Sequence, residues 1–183
     1  MGTSVNYLHL LQLKSNIMKE AIFILCERFS GVKEIGINEA FDNKEFEQLL
    51  LNAGWYRGAP WCSFTMRAIF KAAGAEYKYI SGSAWRTALN GSMRGYVWTD
   101  KPKPGALMIW RNFKNGKPQA SGHIALVKSV TGKFVSTYEG NSDTDDLDKI
   151  QEFGEHVRKA SGEVWKVKNG LRLMGFLYPP HLD

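Results

Sequence analysis

The sequence predicts an α+β domain in which helices precede an antiparallel sheet. Apolar residues recur at helical spacing through the first half of the chain. From Pro104 onward, short apolar runs bounded by Pro and Gly take over. The two patterns never alternate, as parallel βαβ units would require.

The elements come in order. Ser15 to Phe29 predicts an amphipathic helix, with Ser15 as cap, Ile17, Ala21, Ile24, Leu25 and Phe29 near helical spacing, and Gly31 as its stop. A second helix starts at the Asp42-Asn43 cap, carries Phe46, Leu49, Leu50 and Ala53, and stops at Gly54, which suits a left-handed terminating position. The third comes after Gly58-Ala59-Pro60 and runs from Cys62 to Ala73, with Phe64, Ala68, Ile69 and Ala72 on its apolar face and Gly74 behind it. A short fourth spans Ser83 to Asn90 before Gly91. Strands are expected at Ala106 to Trp110, at His123 to Val130, at Phe134 to Glu139 after a Thr131-Gly132 turn, and at Gly175 to Tyr178 ahead of Pro179-Pro180. Ser142 to Lys168 has no clear period and is expected as a polar excursion before the last strand.

With 183 residues, 44% apolar and 23% charged, the chain can bury a core without disulfides or metals. One domain is expected over residues 1–183, with 1–29 as a helical extension and 30–183 as the core, and a monomer is expected. The formal charge of +6 suits a polyanionic partner such as nucleic acid, anionic lipid or a bacterial wall. The basic residues are scattered, without a run or a helical stripe, which speaks against nucleic acid. No span is long and apolar enough for stable membrane insertion. No basic n-region precedes the first apolar residues, and Lys14, Lys19, Glu20 and Glu27 interrupt the apolar residues beyond them, so synthesis in the cytoplasm without a signal peptide is expected. Asp143, Asp145, Asp146 and Asp148 lack the turn glycine and closing glutamate of a calcium loop, and the cysteines and histidines show no zinc spacing. No metal and no cofactor is expected.

Two cysteines sit in different settings. Cys26 lies in the apolar stretch from Ala21, where an inert buried thiol is expected, whereas Cys62 lies in the first turn of a helix. Unpaired N–H groups and the helix dipole favour a thiolate there, and the Cys62 amide could donate to an oxyanion, with Tyr56 a candidate second donor. Of four histidines, His123 alone starts a strand beside a small residue, Gly122, and is the candidate base. His9 falls in the N-terminal extension, His156 in the polar excursion and His181 beyond the last strand. Glu139 and Asn141 are both of the type that fixes an imidazole tautomer. A loop of only Thr131-Gly132 would set His123 opposite Gly140 and leave both on the wrong face, so a bulge or a longer loop is expected in this hairpin. Among the tryptophans Trp55, Trp61, Trp85, Trp98, Trp110 and Trp165, most are expected in core or groove, with Trp61 and Trp85 able to flank a substrate.

Pro60-Trp61-Cys62-Ser63-Phe64, then Pro104-Gly105, Gly122-His123-Ile124-Ala125-Leu126-Val127 and Glu139-Gly140-Asn141, together resemble the CHAP amidohydrolase/peptidase family of the NlpC superfamily. Gly31-Val32-Lys33-Glu34-Ile35 looks like the entry segment of a phage-associated branch. The resemblance implies a papain-like fold, with the nucleophile at a helix N-terminus packed on an antiparallel sheet. It also implies hydrolysis of an amide in peptidoglycan, as an N-acetylmuramoyl-L-alanine amidase or a peptide endopeptidase, through a cysteine thioester. Those roles would fall to Cys62 as nucleophile, His123 as base, and Glu139 or Asn141 as the orienting group. The glutamine often found shortly before the family's cysteine is absent, which leaves the second oxyanion donor open. An endolysin and a secreted antibacterial effector acting at the wall or periplasm fit equally, and the latter brings an inhibitory or immunity protein as a partner. A non-catalytic module that holds wall fragments or a protein on the same fold is the alternative from another class.

Overall fold

A computed structural model describes residues 3–143, 151–159, 170–179 and 182. Among these residues the architecture is α+β, with four helices and one antiparallel sheet of eight strands. In chain order these are α1 (Thr3–Phe29), β1 (Val32–Ile35), β2 (Ala40–Phe41), α2 (Lys44–Asn52), α3 (Cys62–Ala72), α4 (Ala84–Met93), β3 (Val97–Thr99), β4 (Leu107–Lys114), β5 (Lys117–Thr131), β6 (Phe134–Asp143), β7 (Gln151–Lys159) and β8 (Gly170–Tyr178). The strands lie in the order β2-β1-β7-β6-β5-β4-β8-β3.

The helix starts follow their caps where a cap exists. Asn43 accepts from the Phe46 amide ahead of α2, and Ser83 accepts from the Arg86 amide ahead of α4. Two expectations are corrected. The first helix begins at Thr3, and Ser15 lies buried inside it, because Leu8, Leu10, Leu11 and Leu13 favour helix and neither Gly nor Pro interrupts the run. Gly91 does not end α4; it lets the helix press on β8, where an added Cβ would sit 2.5 Å from a Leu177 methyl. The helix stops at Gly95, whose φ of +76° is left-handed.

Four strands were not expected: β1, β2, β3 and β7. Of these β7 matters most, since it forms inside the stretch read as a polar excursion and inserts between β1 and β6. Its two large apolar residues, Phe153 and Val157, lie on the same side, the first buried and the second exposed, and polar residues surround them, so its sequence shows little alternation.

Alternate residues of β4 and β5 enter two separate clusters. Leu107, Ile109, Ile124 and Leu126 pack with helix residues that include Cys26, Phe46, Met66 and Ile69. Met108, Trp110, Ala125 and Val127 pack with Val135, Leu173 and Phe176 on the other face. Because both faces of these strands are covered, Ala106 to Trp110 reads as a continuous apolar run and not as an alternation.

Candidate active site

Cys62 opens α3, and the preceding residue, Trp61, makes no side-chain cap. The first-turn amides of α3 therefore have no intrahelical acceptor beside the sulfur. The thiol is 7% exposed. This helix start is anchored from below. Thr65 Oγ1 donates to the Trp61 carbonyl at 2.9 Å, and Trp61 Nε1 donates to Glu34 Oε2 at 3.1 Å. Gly140 of β6 brings the sheet against it, for a Cβ there would lie 2.7 Å from both Thr65 Oγ1 and the Trp61 ring.

His123 stands on β5 opposite Trp110, with the ring centroids 5.5 Å apart. Gly122 precedes it out of necessity, since a Cβ would fall 2.2 Å from the Trp110 carbonyl oxygen. His123 Nε2 bonds Glu139 Oε2 at 2.9 Å, and the Cys62 side chain lies close enough to the ring to favour its charged form. With Nε2 committed to Glu139, the nitrogen left for the sulfur is Nδ1.

A bulge in the hairpin makes this meeting possible. The turn is Gly132-Lys133, one residue later than expected, with Thr131 opposite Phe134 and Ser129 opposite Ser136. Lys128 then has no partner, and pairing resumes with Val127 opposite Thr137 and Ala125 opposite Glu139. Were Lys128 paired like its neighbours, Glu139 would oppose Leu126 and point away from His123; with Lys128 left out of the pairing, His123 and Glu139 share the face of Ala125. The bulge thus lies in the strand and not at the turn.

Glu139 is fully buried and accepts from Thr137 Oγ1 at 2.6 Å, Arg158 Nε at 2.8 Å and Arg158 Nη2 at 2.6 Å as well as from His123. Burial pushes its carboxyl up, but the Arg158 fork and the His123 ring outweigh that and hold it well below the usual carboxylate range. Burial likewise opposes charge on His123, yet the nearby Cys62 side chain and the bond to Glu139 push its pKa from 6.5 up to about 9. The imidazole is therefore charged at neutral pH. Cys26 differs: it is fully buried, and desolvation pushes its thiol well above the ordinary range. Both cysteines are free.

The remaining expected residues separate. Asn141 sits in a second bulge, between Glu139 and Ser142, with φ of 56°, and it is Glu139 that bonds His123. Tyr56 and Trp85 line a groove of about 530 Å³ together with Pro60, Phe64, Arg86 and Arg111. Trp61 is corrected: it is fully buried, edge-on to Phe41 and Phe46, and offers no face to the groove. Burying an indole stabilises by about 2–3 kcal/mol, which a groove position would forfeit. His9 is exposed on α1, and His156 lies on β7 opposite Thr137. His181, Trp165 and Asp145, Asp146 and Asp148 lie outside the described residues. Arg158 and Thr137 were not foreseen. Thr137 could have been found from the strand period, two residues before Glu139; Arg158 had no signal, since its strand was not legible.

The molecule is thus an α+β protein whose helix-borne cysteine meets a histidine and a buried acid on a bulged hairpin. Residues 54–141 match the model of the CHAP domain, so this stretch is similar to that family. CHAP domains are typically hydrolases. The match contains Cys62, His123 and Glu139 and leaves out β1 and β7, which supply Glu34 and Arg158. No curated protein matches the chain. Among solved structures, "The crystal structure of Ly7917" is similar at 13% identity and a TM-score of 0.44, covering 91% of this chain; this chain spans 62% of that one. Among the described residues no helix is long and apolar enough to cross a membrane.

Proposed function

We propose that the protein hydrolyses an amide bond in peptidoglycan through a thioester on Cys62, in a papain-like arrangement. The observation that carries this reading is the chain of contacts from Cys62 to His123 to Glu139 at an uncapped helix start beside an open groove. The CHAP domain points to a peptidoglycan hydrolase or amidase.

In this mechanism Cys62 reacts as a thiolate, and the His123 imidazolium beside it supplies the counter-charge. The thiolate attacks the amide carbon, and the first-turn amide of Cys62 donates to the oxygen that becomes negative. The C–N bond breaks as Nδ1–H of His123 protonates the leaving nitrogen, which leaves a thioester and a neutral ring. Water gives its proton to Nδ1 and its hydroxide to the thioester carbon; a carboxylic acid is released and the ion pair returns. Glu139 keeps the ring oriented and balances its charge throughout.

Mass spectrometry of sacculi digested by the wild-type protein tests this. New amine and carboxyl termini at one bond type are expected and identify that bond. Binding to sacculi with no new termini would replace the hydrolase with a wall-holding module. Iodoacetamide supplies a second reading: Cys62 labels before Cys26, whose thiol is sealed in the core.

A further inference from the structure

We propose that the groove beside Cys62 receives a free carboxylate of an acidic wall peptide, read by Arg86 and Arg111; this rests on the hydrolase reading and names its substrate class. The groove is lined by chain or strand neighbours of both halves of the site, though not by Cys62 or His123 themselves. Pro60 and Phe64 bracket Cys62 along the chain, and Arg111 pairs across the strands with Gly122, the neighbour of His123. A peptide with one amide at the sulfur would run directly into it.

The lining contains two guanidinium groups and no carboxylate. Neither arginine forms an ion pair among the described residues, unlike Arg28, Arg57, Arg94 and Arg158 and like Arg67 and Arg172. Two like charges facing one cavity repel each other, and an anionic ligand would relieve that repulsion. Arg111 is already set in place: its guanidinium lies 4.5 Å over the Trp85 ring and its Nε donates to the Gln119 carbonyl at 2.8 Å. That leaves its two terminal nitrogens as a fork for a carboxylate. Arg86 projects from the first turn of α4, and Ser81, Gly82 and Ser83 at that helix start complete the same wall. Tyr56 and Trp85 add apolar faces for the rest of the peptide. A neutral or basic peptide would leave both arginines without a counter-charge. A phosphate would satisfy the fork too, but wall phosphates are not on the chain being cut, whereas peptide carboxylates stand beside its amides.

The test measures binding to Cys62→Ala protein by calorimetry, which keeps it independent of turnover. Three probes are compared: a synthetic wall tetrapeptide with free carboxylates, the same peptide with its carboxylates amidated, and inorganic phosphate. We expect the free acid to bind at least about tenfold tighter than the amide at low salt. Adding Arg86→Gln removes the preference, and Arg86→Lys restores part of it; Arg86 is exposed, so folding is not at stake. Equal binding of acid and amide, no binding of either, or a preference that survives Arg86→Gln overturns the proposal. Phosphate binding as tightly as the acid overturns the assignment to a peptide carboxylate. Failure of the hydrolase reading would show separately, as wild-type protein that leaves sacculi uncut while the acid preference persists.

Discussion

Glu139 carries its charge without solvent contact because Thr137, Arg158 and His123 all donate to it. Removing the Arg158 fork should therefore cost more than a surface ion pair would. Arg158→Gln is expected to destabilise the protein by about 2 kcal/mol, since a buried acceptor loses charged donors, and to slow turnover by about tenfold through a looser His123. Urea unfolding and kcat read the two effects. The pH dependence is set at the same scale. His123 has its pKa raised from 6.5 to about 9, so the imidazolium and the stability it contributes are fully present below 6.5 and are lost as pH rises through about 9. Glu139 is shifted the other way: its contribution is present above the ordinary carboxylate range and is lost only as pH falls well below it. Activity should accordingly decline on the alkaline side near pH 9. Glu139→Gln removes one of the groups that raises His123, so its alkaline limb should move to lower pH. An unmoved limb would mean that Glu139 does not govern the charge of the ring.

At the scale of elements, the bulge at Lys128 carries the site. The sequence placed Cys62 at a helix start; His123 and Glu139 were expected at a strand start and a strand end but lie inside β5 and β6, and Asn141 was an equal candidate for the role of Glu139. The need for a register shift was legible as well, since strand alternation alone puts His123 and Glu139 on opposite faces. Its place was not, because an extra residue inside a strand leaves no mark in a pattern as apolar as Ile124 to Val127. Deleting Lys128 should make the β5–β6 pairing regular and keep Ala125 opposite Glu139, because the residue removed is the one without a partner. Hydrolysis is then expected to stay within about tenfold of wild type, while the far-ultraviolet circular dichroism stays that of an α+β protein. A loss of activity in a folded deletion variant would show that the twist of the bulge, and not the register alone, aligns the two side chains. β7 was missed for a different reason. Its polar residues Glu152, Glu155, His156 and Arg158 are spread over both sides and read as a polar loop, and Arg158 was hidden with them.

For the whole molecule, the order of helices before strands fixed the class, because antiparallel pairing is the outcome when strands succeed one another without intervening helices. The sheet order was less accessible, since β1 pairs with β7 across most of the chain. That long-range pairing supports the site from outside the family match: β1 gives Glu34 to the Trp61 indole, and β7 gives Arg158 to Glu139. The measurement that bears most directly on the chemistry is clearing of purified sacculi by wild-type and Cys62→Ala proteins at equal concentration and matched thermal stability. The alanine variant should leave turbidity unchanged while the wild type lowers it. Clearing by Cys62→Ala at the wild-type rate would contradict a sulfur nucleophile at this helix start.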